Sequence, residues 1–210
     1  MVSISKLKEL SFLVYGLGVS GKSVVNFFEK NNIKNYQVWD DKNKNLLKKK
    51  RPLSLARTLK KVNYIVLSPG ISLKKSKNKR QLNRYKKKII TDIDLVFLSK
   101  NFFKSIVVTG TNGKSTTCKI LFHILTKSKY HPLLGGNIGT PILNLKIKKD
   151  SLLIIEASSF QLAHSKFIKP DYGLLLNISN DHLDWHGTMK DYINSKFKIF
   201  EKQEKKHFSF

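Results

Sequence analysis

The chain is short of three things: cysteine, acidic residues and long apolar runs. Cys118 is the only cysteine among 210 residues, which excludes an intramolecular disulfide and makes a reducing compartment the default. No apolar run approaches the roughly 20 residues that cross a bilayer. Met1 to Leu10 alternates charged and apolar residues, without the apolar core and cleavage site of a signal peptide. A soluble, cytoplasmic chain with no membrane insertion is therefore expected.

The scarcity of acids, 14 Asp+Glu against 40 Lys+Arg, leaves a net charge of +26. Such an excess raises the question of nucleic acid or an anionic membrane. The cations are mostly lysines spread along the whole chain beside abundant Asn, Ile, Phe and Tyr, the mark of a compositional bias rather than a patch. Lys48-Lys49-Lys50-Arg51 and Lys86-Lys87-Lys88 read as solvated faces. Nucleic acid is not the expected partner, although acidic, phosphorylated substrates would be attracted. With 40% apolar residues the chain has enough to build a core.

Two series of α/β elements follow one another. Ser11 to Tyr15 reads as a buried strand, Gly16 to Gly21 as a turn, and Lys22 to Lys30 as a helix with Val24, Val25, Phe27 and Phe28 inward. Tyr36 to Asp40 is the next strand, making a βαβ unit with a right-handed crossover and parallel sheet. Asn63 to Leu67 adds a strand closed by Ser68-Pro69-Gly70, while 42–61 and 74–88 read as basic helix and loop. After an amphipathic stretch, Asp92 to Leu98, a second series begins. It comprises a strand at Ser105 to Val108, a helix at Lys114 to Ser128, strands at Leu152 to Glu156 and Asp171 to Asn177, and a helix at Met189 to Lys202. His207 to Phe210 resembles the start of one more strand. The expected fold class is α/β, with a Rossmann-like parallel-sheet domain over 1–99 followed by an incomplete P-loop ATPase-type α/β domain over 100–210.

Two glycine loops carry the chemistry. Gly110-Thr111-Asn112-Gly113-Lys114-Ser115-Thr116 lies between a strand and a helix, as in a phosphate-binding loop. There, backbone N–H groups face an anion, Lys114 brings charge, and Ser115 or Thr116 reaches a metal ion. Two residues lie between its glycines where the usual motif has four, and a plain strand-to-helix turn is the alternative. The earlier loop, Gly16-Leu17-Gly18-Val19-Ser20-Gly21 with Asp40 downstream, fits a dinucleotide fingerprint. That makes an NAD-dependent oxidoreductase a rival reading, beside a basic nucleic-acid-binding P-loop protein. Taken alone, Asp181-His182-Leu183-Asp184-Trp185-His186 is equally compatible with a zinc cluster or a satisfied polar loop.

Seven segments in order resemble the Mur ligases. They are Gly16 to Gly21, Ser68-Pro69-Gly70-Ile71, Thr91-Asp92-Ile93-Asp94-Leu95, Thr109 to Thr116, Gly135-Gly136-Asn137-Ile138-Gly139, Glu156-Ala157-Ser158-Ser159-Phe160-Gln161-Leu162, and Asn177 with Asp181-His182-Leu183-Asp184. The first glycine loop with Ser-Pro-Gly-Ile, and Ser-Ser-Phe-Gln-Leu after Glu156, resemble the D-glutamate-adding branch. The resemblance implies an ATP-dependent, amide-bond-forming ligase of peptidoglycan precursor synthesis, acting on UDP-N-acetylmuramoyl-L-alanine and D-glutamate through an acyl phosphate. It turns the first loop from NAD to the uridine diphosphate of that substrate. Val19, Ser20, Asp40, Asp41, Lys42, Gly70, Asn137 and Ser158 would then bind substrate. Asp41 stands where a smaller polar residue is usual.

The resemblance further implies ATP and two Mg²⁺ ions as cofactors. Gly110, Thr111, Asn112, Gly113, Lys114, Ser115 and Thr116 would bind ATP. Ser115, Thr116, Glu156, His182 and Lys196 would hold metal, Lys196 as a carbamate, with Lys198 its register alternative. Lys114, His182 and Lys196 would be catalytic. Family members carry a third, glutamate-binding domain with no counterpart here, so the chain reads as a truncated piece. It is expected to be inactive alone, to expose apolar surface and a sheet edge, and to be monomeric once completed.

Overall fold

The computed structural model describes residues 4–43, 47–99, 103–128 and 130–210. The expected boundary near residues 99–104 and the loop within 42–61 therefore fall partly outside the described residues. In chain order the elements are α1 (Ile4–Glu9), β1 (Phe12–Tyr15), α2 (Val19–Lys30), β2 (Tyr36–Trp39), α3 (Leu55–Lys61), β3 (Tyr64–Leu67), α4 (Lys79–Arg84), β4 (Ile89–Ile90) and α5 (Asp92–Leu98). There follow β5 (Lys104–Thr109), α6 (Lys114–Lys127), β6 (Pro132–Gly136), β7 (Leu152–Glu156), α7 (Ser159–His164), β8 (Tyr172–Leu175), α8 (Leu183–His186), α9 (Met189–Phe197) and β9 (Phe208–Ser209).

These strands form two wholly parallel sheets, ordered β2-β1-β3-β4 and β6-β7-β5-β8-β9. Their continuous apolar runs, Phe12-Leu13-Val14-Tyr15 and Leu153-Ile154-Ile155, are fully buried because helices cover both faces. In each sheet the first strand, β1 or β5, sits inside and the chain leaves it in opposite directions. The carboxyl ends of β1 and β3, and of β5, β7 and β8, therefore open crevices of the kind that receive ligands. One apolar cluster runs through both sheets, joining Phe12, Val14 and Phe28 to Val107, Leu153 and Ile155 by way of α5 and the turn at Ile142–Asn144.

Several elements depart from the expected pattern. α2 begins at Val19, three residues before Lys22, because Gly18 takes the N-cap position within the glycine loop. All seven residues of α5 are buried. It is thus no amphipathic surface helix but a wedge between the sheets. Its Asp92 and Asp94 are solvated by hydrogen bonds rather than by water. β6 escapes prediction because Pro132, Gly135 and Gly136 look like turn punctuation. Those residues suit an edge strand in which a Cβ on Gly135 or Gly136 would overlap the carbonyls of Thr140 or Glu156. α9 stops at Phe197 rather than Lys202, where single-turn bonds from Ile199 and Phe200 tighten the chain toward β9.

The expected strand at the end of the chain pairs with β8, leaving Phe208 and Phe210 exposed. On α6, Ile120, Phe122 and Ile124 also face outward, and Cys118 is the helix's one fully buried side chain. Among the described residues no helix is long and apolar enough to cross a membrane.

Candidate functional site

The phosphate-type loop leaves β5 at Gly110 (φ 154°), turns at Gly113 (φ 81°) and enters α6 at Lys114. Both φ values lie where only glycine is unstrained. The loop is braced from outside. Asn177, just past β8, accepts the Thr111 and Asn112 N–H groups at 3.1 and 2.9 Å and donates to Asn112 O. The Thr111 hydroxyl meets Tyr192 of α9 at 2.9 Å. With those amides engaged, the donors facing an anion are the first-turn N–H groups of α6, where the helix dipole is positive.

Lys114 folds back on its loop, donating to Gly110 O (2.8 Å) and Thr111 O (2.7 Å). The Ser115 hydroxyl donates to Glu156 Oε2 at 2.7 Å, whereas the neighbouring Thr116 is exposed. Glu156 ends β7, is 2% exposed, and also accepts Asn137 Nδ2 at 2.9 Å. Lys196 is 1% exposed and donates to Gly110 O at 2.7 Å, with its ammonium 4.6 Å from the Tyr192 ring centre. Burial first, and the Lys114 cation second, push its pKa down to about 8. Lys198, the register alternative, points elsewhere and donates to Ala163 O.

Lys114, Asn137, Ser158, His182 and Lys196 line one cavity of about 100 Å³. His182 sits in the left-handed region (φ 52°) at the start of α8, with its ring 4.7 Å from Phe160 and Nδ1 3.2 Å from Asp181. The zinc alternative is not formed. Asp184 pairs with Lys75, His186 turns inward to the Ser159 hydroxyl, and no group of three metal-ligating side chains exists among the described residues. Burial and nearby cations hold His186 neutral, with a pKa of about 4.

A larger cleft of about 620 Å³ opens at the carboxyl ends of β1 and β3. Val19, Ser20, Asp40, Asp41, Lys42, Gly70 and Asn137 all line it; Ser158 lies on the other side, in the small cavity. Asp40 accepts the N–H groups of Leu17, Lys42 and Asn43, which hold its carboxyl below the usual range against the effect of burial. Asp41 accepts Tyr15 OH (2.7 Å), Trp39 Nε1 (2.9 Å) and Asn78 Nδ2 (2.9 Å). Burial first, and the Asp41 carboxylate that accepts its hydroxyl, raise the Tyr15 phenol to about 12 against the lowering effect of Asn78. The unusual acid at 41 is thus engaged with the protein itself. Asn137 lines both hollows, which meet across it.

Residues 10–91 match the MurD-like N-terminal domain of Mur ligases, and residues 108–210 match the Mur ligase middle domain. The chain belongs to the Mur ligase family. Among its relatives, the UDP-N-acetylmuramoylalanine--D-glutamate ligase of Wolbachia pipientis wMel is 34% identical over 97% of this chain and 41% of that protein. Its counterpart in Aquifex aeolicus is 34% identical over 95% of this chain and 46% of that protein. The one in Rickettsia prowazekii is 38% identical over 91% and 44%. This Mur ligase chain therefore spans less than half the length of those relatives. A UDP-N-acetylmuramate:L-alanyl-gamma-D-glutamyl-meso-diaminopimelate ligase from Neisseria meningitides shares the fold, with a TM-score of 0.53 at 14% identity over 95% of this chain and 70% of that one. The oxidoreductase and nucleic-acid readings find no support in these matches.

Three site residues escape the pattern of the sequence. Tyr192 and Asn177 brace the phosphate loop, and Gln161 lines the larger cleft. Asn177 and Gln161 stood inside recognised segments, but nothing in a linear motif says which loop a side chain supports.

Proposed function

We propose that this Mur ligase chain forms the UDP-substrate and ATP portions of an enzyme that joins D-glutamate to UDP-N-acetylmuramoyl-L-alanine. The residues split between a substrate domain over 1–99 and a nucleotide domain over 100–210. The observation that carries this reading is Asn137, shared by the two hollows, so that a ligand lying along the first loop ends beside the phosphate loop of the second.

Amide formation needs an activated carboxylate. In the proposed reaction the carboxylate oxygen of the alanyl substrate attacks the γ-phosphorus of ATP, expelling ADP and forming an acyl phosphate. The neutral D-glutamate amine then attacks the acyl carbon, its nitrogen gives up a proton to solvent, and phosphate leaves with the C–O bond electrons. Such transfer depends mainly on positioning and charge neutralisation. The amides opening α6 bind phosphate oxygens, and Lys114 would exchange its carbonyl partners for the β- and γ-phosphates. The fixed orientation of the loop by Asn177 and Tyr192 means little reorganisation is needed when charge develops.

Glu156 fits a divalent cation: it is a buried carboxylate with a hydroxyl and an amide as partners and no paired Lys or Arg among the described residues. Ser115, Thr116 and Glu156 would hold one Mg²⁺, and His182 with Lys196 the other. Mg²⁺ supplies neutralisation of phosphate charge and a template for in-line geometry. Lys196 fits its part as a carbamate, since a pKa of about 8 leaves neutral amine to attack CO₂ with loss of a proton. The product is an anionic oxygen donor in place of a cation.

Calorimetric titration tests the reading. UDP-N-acetylmuramoyl-L-alanine and Mg·ATP are expected to bind at separate sites. Heat from NADH with none from the muramoyl ligand would refute it, and so would salt-sensitive DNA binding without nucleotide selectivity.

A further inference from the structure

The segment Thr91-Asp92-Ile93-Asp94-Leu95 has no role in the chemistry above, yet both of its acids are buried. Asp94 is accounted for locally. It closes the capping box with Thr91 and accepts the Ser165 hydroxyl and the N–H groups of Lys166 and Phe167, pinning that loop to α5. Asp92 is not needed for the cap. Its carboxylate accepts Gln161 Nε2 at 3.2 and 3.5 Å and its neighbour Ile93 N at 3.0 Å.

Gln161 is 2% exposed, and its amide has one permitted orientation. Oε1 accepts the Ser158 N–H and hydroxyl, both at 3.1 Å. A backbone N–H cannot be turned into an acceptor, so Nε2 must face Asp92, and the Asp92 oxygen facing it must accept. A buried chain results: Asp92, Gln161, Ser158. Gln161 lines the larger cleft and Ser158 the cavity of Lys114 and Lys196.

From this we infer that Asp92 is a positioning residue for the Mur substrate. It holds Gln161 in the cleft wall and, through it, Ser158 beside the phosphate loop. The inference rests on the muramoyl-ligand reading of the larger cleft. Asp92 touches neither substrate nor reacting atoms; it acts through Gln161 and Ser158. The acceptor at Oδ1 matters more than the charge. Asparagine keeps that acceptor for Gln161 and Ile93. Leucine fills the same space and leaves Nε2 unpartnered in the interior.

The test uses the full chain and its Asp92→Leu and Asp92→Asn variants. Binding of UDP-N-acetylmuramoyl-L-alanine and of UDP alone is measured by calorimetry, and the Gln161 side-chain amide protons are followed by NMR. Asp92→Leu is expected to weaken the muramoyl ligand about tenfold or more while changing UDP less than about threefold, and to release the Gln161 amide to solvent exchange. Asp92→Asn should stay within about threefold of the parent for both ligands and keep the amide protected. A merely structural role would lower both affinities together in Asp92→Leu. That outcome, unchanged Gln161 protection in Asp92→Leu, or equal loss in both variants overturns the inference. Failure of the parent chain to bind the muramoyl ligand would instead refute the functional reading, and the Gln161 protection data would still decide the part played by Asp92.

Discussion

Lys114 and Lys196 converge on one acceptor, the carbonyl oxygen of Gly110, at 2.8 and 2.7 Å. One lysine comes from the helix that opens the phosphate loop and the other from α9, and their like charges meet over a buried oxygen. The arrangement places a strained electrostatic pair where an anion would relieve it.

Stability should register that pair. The folded chain releases the Lys196 proton near pH 8, whereas the unfolded chain holds it to the ordinary value of 10.5. Between those values the unfolded state binds more protons, so stability rises with pH; below about 8 the cost of burying the cation is present in full. Lys196→Met is expected to flatten the rise between pH 8 and 10.5 by up to about 1.4 kcal/mol per pH unit. Denaturant titrations of both proteins at pH 8 and 9.5 measure it, and parallel slopes would contradict it.

Nucleotide binding should separate the two loops. Lys114→Ala removes the loop cation but no contact of the first cleft. Affinity for Mg·ATP is expected to fall by about a hundredfold or more, with affinity for the uridine ligand within about twofold, by calorimetry. Equal loss of both would mean that the two sites are one.

At the first loop, the sensitive glycine is Gly21. A Cβ there would overlap the carbonyl oxygen of Gly16 and press on Ser68. Both are in the cleft wall, and the Ser68 hydroxyl already donates to Gly16 O at 2.8 Å. Gly21→Ala should cost about 2–4 kcal/mol of stability, through the strain of overpacking. Gly18→Ala, which meets open space, should cost under about 1 kcal/mol. Thermal melts of the two variants provide the comparison, and similar melting points would be inconsistent with this account.

The acid at 41 should behave as a structural residue. Asp41→Ala strips partners from Tyr15 OH, Trp39 Nε1 and Asn78 Nδ2 together. A loss of about 1–3 kcal/mol is expected in urea unfolding, with Tyr15 titrating below its present value of about 12. An unchanged midpoint would show that the network carries no stability.

The two glycine loops were legible because each obeys a local rule: an apolar strand, glycines where φ must be positive or a backbone must pass, then a helix. Glu156 was legible as an acid at the end of a buried strand. Lys196 looked like one more lysine on a basic helix, and its burial against Gly110 depends on how α9 packs over β5. Asp92 looked like the polar face of an amphipathic helix. It became interior because α5 wedges between the sheets and Gln161, from a distant segment, supplies its partner.

By itself, then, the sequence determined the parallel α/β character of the chain, the two loops and the Mur family resemblance, since strand runs, glycine spacing and motif order are short-range properties. Only the tertiary structure decided which lysine is buried, that Asp41 is engaged by Tyr15, Trp39 and Asn78, and that Asn137 joins the two hollows. Those outcomes depend on desolvation and on hydrogen-bond partners far apart in the chain, and no local pattern encodes either.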